Sequence, residues 1–259
     1  MPEPADEQTQ SINAQSYLDA LSTVLSAVTE QASGPVLAAA DLIADSVRRG
    51  GVLQTFGSGH SEALAMELAG RAGGLVPSNR ISLRDVVVHG GDPPEVLGRG
   101  ILERDPSIAA RLYELAAPDP RDVFVIASSS GVNGSVVEMA RIVKEHGHPL
   151  IAVTSLAHTN GVDSRHPSGQ KLVDHADVVL DNAAPYGDAV LPLPGGGSAC
   201  AVSSITAALL AQLVTAEVVK RLLDAGETPP VYLSANVPGG DEHNHALEER
   251  YAGRIRRTA

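Results

Sequence analysis

The stretch VLQTFGSGHSEALAMELAG, residues 52–70, passes from an apolar run through a Gly-Ser-Gly-His-Ser turn into a helical pattern carrying two glutamates. VLQTF is short, apolar and bounded by glycines, as expected of a strand buried on both faces of a sheet. Runs of the same type recur at DVFVIAS (122–128), PLIAVTS (149–155) and ADVVLDN (176–182). Apolar residues at helical spacing over 61–72, 107–116, 134–146 and 199–224 separate or follow these runs. The alternation predicts an α/β fold, a three-layer sandwich around a mainly parallel, doubly wound sheet of about five strands. Upstream, residues 12–31 and 35–49 predict two helices, with Gly34-Pro35 marking the break between them. The expected organisation is a helical extension over 1–34, the α/β domain over 35–225 and a tail over 226–259 that closes the active site. The segments 83–106 and 156–175 read as long irregular connections, a class that is often functional.

Composition narrows the partners. The 259 residues suit one core with additions, and 31 acidic against 19 basic residues give a net charge of -12. Such a surface repels polyanions, so neither nucleic acid nor a membrane is an expected partner, whereas a small anion needs only a local set of donors. The single cysteine, Cys200, cannot form an intrachain disulfide, and MPEPADEQTQSINAQ lacks the basic flank and apolar run of a signal peptide. Cytoplasm is the expected location. The apolar segment 199–223 is interrupted by Ser203, Ser204, Thr206, Gln212, Thr215, Glu217 and Lys220, which suits a buried or interfacial helix and not a membrane span.

Two strand-to-helix turns share one chemistry: Gly57-Ser58-Gly59-His60-Ser61, and Ser128-Ser129-Ser130-Gly131-Val132-Asn133-Gly134-Ser135. Turns of this kind lie beyond the carboxyl ends of parallel strands, where ligands bind in open sheets. Glycine lets backbone N–H groups approach a ligand, the helix N-terminus adds positive potential and the hydroxyls add donors, which together make a phosphate seat. The plainer alternative is that the serines cap helices. No cofactor is expected. Gly57-Ser58-Gly59 is followed by His60-Ser61-Glu62, without the third glycine of a dinucleotide fingerprint, and neither turn has the Gly-Lys-Ser/Thr ending of a triphosphate loop.

The segment ASSSGVNGSVVEMAR (127–141) resembles the Ser-x-Ser-Gly-x-Thr-x-x phosphate loop of the sugar isomerase (SIS) family. Ser128, Ser130 and Gly131 match it, and Asn133 stands where threonine is usual. The first turn is similar to the family's Gly-x-Gly-x-Ser at Gly57, Gly59 and Ser61. The similarity covers roughly residues 35–225. With its tail NVPGGDEHNHALEERY (236–251), the chain most resembles a bacterial single-domain SIS subgroup, within it the N-acetylglucosamine-6-phosphate dehydratases, and more distantly the N-acetylmuramic acid 6-phosphate etherases.

The resemblance implies a homo-oligomeric phosphosugar enzyme that opens the sugar ring and takes the proton from C2. The enediol either reprotonates at C1, which is isomerisation, or expels a group from C3, which is elimination. Glu67 has the spacing from Gly57 at which one branch of the family carries its isomerase glutamate, while Glu62 lies beside the turn itself. Five helical positions rotate a side chain by about 500°, so the two glutamates diverge by about 140° and do not share one proton. One would be the base and the other a positioning group or the base of a partner's site; alternatively both are solvated charges. His89 falls where the family places a ring-opening histidine, a step that suits an imidazole. In the tail, Glu242 and His243 are candidates for catalysis or sugar contact. His243 and His245 do not converge on a regular helix or strand, so no metal is expected. Arg99, Arg104 and Arg165, on the long loops, are within reach of a phosphate or remain solvated. The reading is dehydration of N-acetylglucosamine 6-phosphate, with an aldose-ketose isomerase or a non-catalytic sensor as alternatives. A homodimer or dimer of dimers with shared sites is expected, joined through the N-terminal helices and the 199–224 helix.

Overall fold

The computed structural model describes residues 12–256. In chain order the elements are α1 (Ala14–Gln31), α2 (Ser33–Arg48), β1 (Leu53–Gly57), α3 (Glu62–Leu68), β2 (Ser78–Ile81), α4 (Asp85–Val88), α5 (Ser107–Ala116) and β3 (Val123–Ala127). They continue with α6 (Gly134–Glu145), β4 (Leu150–Thr154), α7 (Leu156–Asn160), β5 (Val178–Asp181), β6 (Ala189–Pro192), β7 (Ser198–Ala201), α8 (Ser203–Asp224) and α9 (Gly240–Glu248). Five strands form one sheet in the order β2-β1-β3-β4-β5, every pair parallel. This is the expected α/β sandwich. Among the described residues no helix is long and apolar enough to cross a membrane.

Alternation along the buried strands builds the two helical layers. Leu53, Val123, Val125, Ile151 and Val153 meet α2, α3 and α8 through Ile43, Leu64, Leu68, Leu210 and Val214. Phe56, Phe124, Ile126, Leu150 and Ala152 meet α4, α5 and α6 through Val86, Leu112, Val136 and Met139. Thus the helix after β1 and the helix after β3 lie on opposite faces of the sheet.

Several boundaries differ from the sequence reading. The edge strand β2 is SNRI, with no apolar alternation to reveal it. Helix α3 stops at Leu68 because Ala69 is extended (φ -114°, ψ 124°), short of residue 72. The last long helix starts at Ser203 and not at 199, because Ser198–Ala201 pairs with Ala189–Pro192 across a turn whose Gly195, Gly196 and Gly197 all have positive φ. Glycine takes that conformation without the steric cost a side chain would impose.

The amino ends of the strands are closed by a buried polar network. Asp122 is fully buried; its Oδ1 accepts the Val52 N–H at 2.8 Å and pairs with Arg254, and its Oδ2 accepts Gln54 Nε2 at 2.9 Å. Gln54 Oε1 accepts Asn79 Nδ2 at 2.9 Å, and Asn79 Oδ1 accepts the Arg256 N–H at 3.0 Å. The tail packs on the same end, where Val76, Tyr232 and Leu247 form a small cluster with Tyr251 and Ile255.

His148, only 2% exposed, adjoins this network. Its Nδ1 donates to Asp122 O at 3.1 Å and its Nε2 accepts from the Tyr113 hydroxyl at 2.8 Å, so the neutral ring is satisfied. Burial pushes the His148 pKa down, and burial does the same to His175. Above the ordinary imidazole value of about 6.5 both states are neutral and the full stability is present. Below it the unfolded chain binds protons that the folded chain refuses, so stability falls with pH. Buried Asp85, whose carboxyl is pushed up by desolvation, opposes this trend only in the carboxylate range. The melting temperature is therefore expected to drop between about pH 7.5 and 5.5, and to drop less in His148→Gln, when followed by circular dichroism.

Candidate functional site

Strand β1 lies between β2 and β3, so the strand order reverses there, and the chains leaving β1 and β3 turn toward opposite faces. A crevice must open at the carboxyl ends of this pair, which is where open α/β sheets bind ligands. In this protein that crevice is a cleft lined by His60, Ser61, Ala127, Ser129, Asn182, Ser203 and Ser204, with Leu64 and Val153 in its floor.

Each turn has a local cause. Gly57 is the last residue of β1, and a Cβ there would lie 2.4 Å from Ser61 O, so only glycine lets the chain fold back over itself. Gly59 follows with φ +57°. In the second turn Gly131 has φ +66°, and Ser128 Oγ accepts the Gly131 N–H at 3.1 Å, stapling the loop. The carbonyls of Gly131 and Val132 are taken by the N–H groups of Leu172 and Arg165, at 2.8 and 3.0 Å. Among the described residues, the N–H groups of Ser130, Val132 and Asn133 meet no protein acceptor. Ser129 O accepts from Ser155 N and Thr154 Oγ1, while Ser129 Oγ is buried without a partner and lines the cleft. A buried hydroxyl left unpaired costs about 1–3 kcal/mol unless a ligand or water satisfies it. This end of α6 is therefore built as an anion seat of unpaired N–H groups and hydroxyl.

The third wall is the N-terminus of α8. Part of its donor set is already taken, since Val202 N and Ser203 N donate to Asp188 Oδ1 at 3.2 and 2.8 Å and Ser203 Oγ donates to Asp188 Oδ2 at 2.7 Å. A carboxylate there cancels the positive end of the helix. Ser204 remains as an exposed neutral hydroxyl. The cleft thus takes the Ser129 hydroxyl from the second turn, whose unpaired N–H groups follow at residues 130, 132 and 133, and the neutral Ser204 hydroxyl from α8.

A carboxylate that the sequence reading missed stands at the first turn. Glu103 Oε2 lies 3.3 Å from the point where a Cβ on Gly59 would sit. Its backbone carbonyl is fixed by Ser135 N and Oγ at 3.2 and 2.8 Å, which ties it to the start of α6. Glu103 therefore lies between the two turns in space, beside the cleft and not among its lining residues, although it belongs to the segment read only as an irregular connection.

Residues 16–155 match the SIS domain. The chain belongs to the SIS-domain family. It is 43% identical over 218 residues to a UPF0309 protein of Listeria monocytogenes, covering 84% of this chain and 88% of the relative. Its fold is that of the phosphoheptose isomerase of Francisella tularensis, at a TM-score of 0.54, 16% identity, and coverage of 79% and 95% of the two chains. It is also that of the Vibrio vulnificus NanR protein, whose structure was determined with ManNAc-6P (TM-score 0.51, 14% identity, covering 94% of this chain and 70% of that one).

Against this SIS site, the residues anticipated from sequence divide. Gly57, Gly59, His60 and Ser61 form the first turn, His60 and Ser61 line the cleft, and Ser58 is buried beneath it. Ser128, Ser129, Ser130, Gly131 and Asn133 form the second turn. Glu62 opens α3, half-buried, its carboxylate without a hydrogen bond or ion pair among the described residues. Glu67 instead points along α3 toward α8, paired with Arg71 and accepting Gln212 Nε2 at 2.6 Å, outside the cleft. His89 is exposed at the end of α4 and does not line the cleft. Glu242 and His243 are exposed on α9, where His243 Nε2 donates to Val231 O at 3.0 Å; that helix docks at the amino ends of the strands, opposite the cleft of its own chain. Ser203, Ser204 and Asn182 were not anticipated. The Ser-Ser pair heading an apolar helix was the available signal, and it had been read as an interruption. Among the described residues no cluster of His, Cys, Asp or Glu would hold a metal.

The Gly57 turn gives a test of the local geometry. Gly57→Ala is expected to lower the melting temperature by several degrees, because its methyl group meets backbone. Gly34→Ala, in the first turn of α2 with nothing within 4 Å, is expected to hold or raise it. Equal melting curves for the two variants and the parent chain would remove the close approach at Gly57.

Proposed function

We propose that this SIS protein is an enzyme of amino-sugar 6-phosphates that takes the C2 proton of the opened sugar and eliminates water from C3. The observation that carries the reading is the placement of the Glu103 carboxylate over the Gly59 turn, with the unpaired donors of Ser129, Ser130, Val132 and Asn133 on the same side of the sheet. The second turn holds the phosphate; the first turn and the neutral wall at Ser204 hold the sugar. Glu103 is the proposed base, in place of Glu67, which lies outside the cleft with its Oε1 held by Arg71 and Gln212. His60, exposed in the cleft, is the imidazole available to open the ring and to protonate the departing hydroxyl, with partner-free Glu62 as the second carboxylate of the turn. His89, Glu242 and His243 enter this scheme only through a partner subunit. Exposed Leu18, Leu37, Ile205 and Leu223 on α1, α2 and α8 support self-association along that face, in the homodimer or dimer of dimers proposed here.

The same base serves isomerisation, so one assay separates the outcomes. N-acetylglucosamine 6-phosphate is incubated in deuterated solvent, with C2 exchange followed by NMR and loss of one water by mass spectrometry. Both events are expected in the parent protein; exchange without water loss would make it an isomerase, and binding without exchange a sensor. Glu103→Gln is expected to lower exchange by about 10²–10⁴-fold with binding retained, whereas Glu67→Gln stays near the parent rate. An unaltered rate in Glu103→Gln would remove it as the base and return Glu62 to that role.

A further inference from the structure

We infer that Arg165 is a specificity residue for the phosphate end of the substrate, reading the charge that the neutral donors of the second turn cannot. The inference rests on the phosphosugar reading above and adds to it a cation from a segment distant in sequence.

Asn133 is the residue that opens α6, yet its side chain does not cap that helix. Its Oδ1 is instead met by Arg165 Nη1 at 3.4 Å, a long contact that leaves the guanidinium beside the unpaired N–H groups of the turn. Arg165 is exposed and has no carboxylate partner among the described residues, although Arg48, Arg71, Arg111, Arg121, Arg141 and Arg221 each pair with an acid. In a chain with 31 acidic residues, an arginine held free of them at an anion seat keeps its donors for the ligand. Of the other two loop arginines, Arg104 has its carbonyl close against Gly134 at the start of α6 and also lacks a carboxylate partner among the described residues, but its guanidinium makes no contact with the turn such as Arg165 makes with Asn133; the side chain of Arg99 lies outside what the structure describes.

The backbone on either side of Arg165 is tied to the same turn. Arg165 N donates to Val132 O and Leu172 N to Gly131 O. The neighbouring His166 is largely buried, with Nε2 3.0 Å from Glu138 Oε2 on α6 and Nδ1 2.8 Å from Ser168 Oγ. Glu138 is in turn fixed by Arg141. The loop therefore carries its cation at a set height above the α6 N-terminus, so little ordering of the loop remains to be done when an anion arrives. A guanidinium there forms charge-assisted hydrogen bonds to a phosphate and has nothing to pair with on an unphosphorylated sugar.

The test is calorimetric titration of the full chain with N-acetylglucosamine 6-phosphate, inorganic phosphate and unphosphorylated N-acetylglucosamine. Arg165→Met is expected to weaken both phosphate-bearing probes by about 10–100-fold, with Arg165→Lys intermediate and the melting temperature unchanged. Equal affinity of Arg165→Met and the parent for the phosphosugar overturns the inference and leaves the phosphosugar reading standing. Equal weakening of the unphosphorylated sugar also overturns it, because Arg165 would then be holding the loop. No binding of either phosphate-bearing probe by the parent protein overturns the inference and the phosphosugar reading together.

Discussion

The position of β1 between β2 and β3 in an all-parallel sheet is the constraint on which the site depends. A parallel connection must cross over one face, and here the crossover from β1 uses α3 on one face while that from β3 uses α6 on the other. The two helix N-termini are thereby parted and aimed into one gap. Hydroxyls and N–H groups from segments about seventy residues apart in the chain converge there because the sheet register pairs Gly57 with Ala127.

The two ends of the sheet carry different polar chemistry, although each keeps a buried donor without a protein partner, Arg256 Nη1 at one and Ser129 Oγ at the other. At the amino ends Asp122 collects N–H groups from Val52 and Asp119, the Gln54 amide and the Arg254 guanidinium, so a fully buried charge is compensated on every side. Breaking such a network leaves an uncompensated charge, at a cost of about 3–5 kcal/mol. At the carboxyl ends donors are left unpaired, including the buried Ser129 hydroxyl. Donors without a protein partner call for a hydrogen-bond acceptor, supplied by water or by a ligand. At the start of α8, Asp188 takes Val202 N and Ser203 N, so that wall offers fewer free donors than the second turn.

Much of this was legible in the sequence. Strands β3 and β4 are apolar runs because both faces are covered, β1 and β5 are short apolar-rich runs, and the helices between them keep the 3.6-residue period. The edge strand SNRI was not legible, since its burial comes from neighbours and not from its own composition. The hairpin of β6 and β7 was hidden for another reason: ACAV continues smoothly into the apolar pattern of α8, and only the pairing with residues 189–192 makes it a strand. In the site, both glycine-serine turns were readable because φ > 0 and close approach demand particular residue types. The partners of Glu67 were not legible, because spacing along one helix says nothing of the Gln212 and Arg71 that hold its carboxylate.

By itself the sequence determined the alternation of strands and helices, the two donor-rich turns, the acidic surface and the kinship with SIS domains, all of which are written in local residue type and period. The tertiary structure alone decided which carboxylate stands at the turn, that Arg165 reaches the second turn free of acids, and which end of the sheet the tail covers. Glu103, Arg165 and Arg254 each sit in segments without period, and their partners lie tens of residues away. Their placement comes from the crossing of parallel strands and the packing of loops on α6 and on the strand ends, long-range contacts that no local pattern of residues encodes.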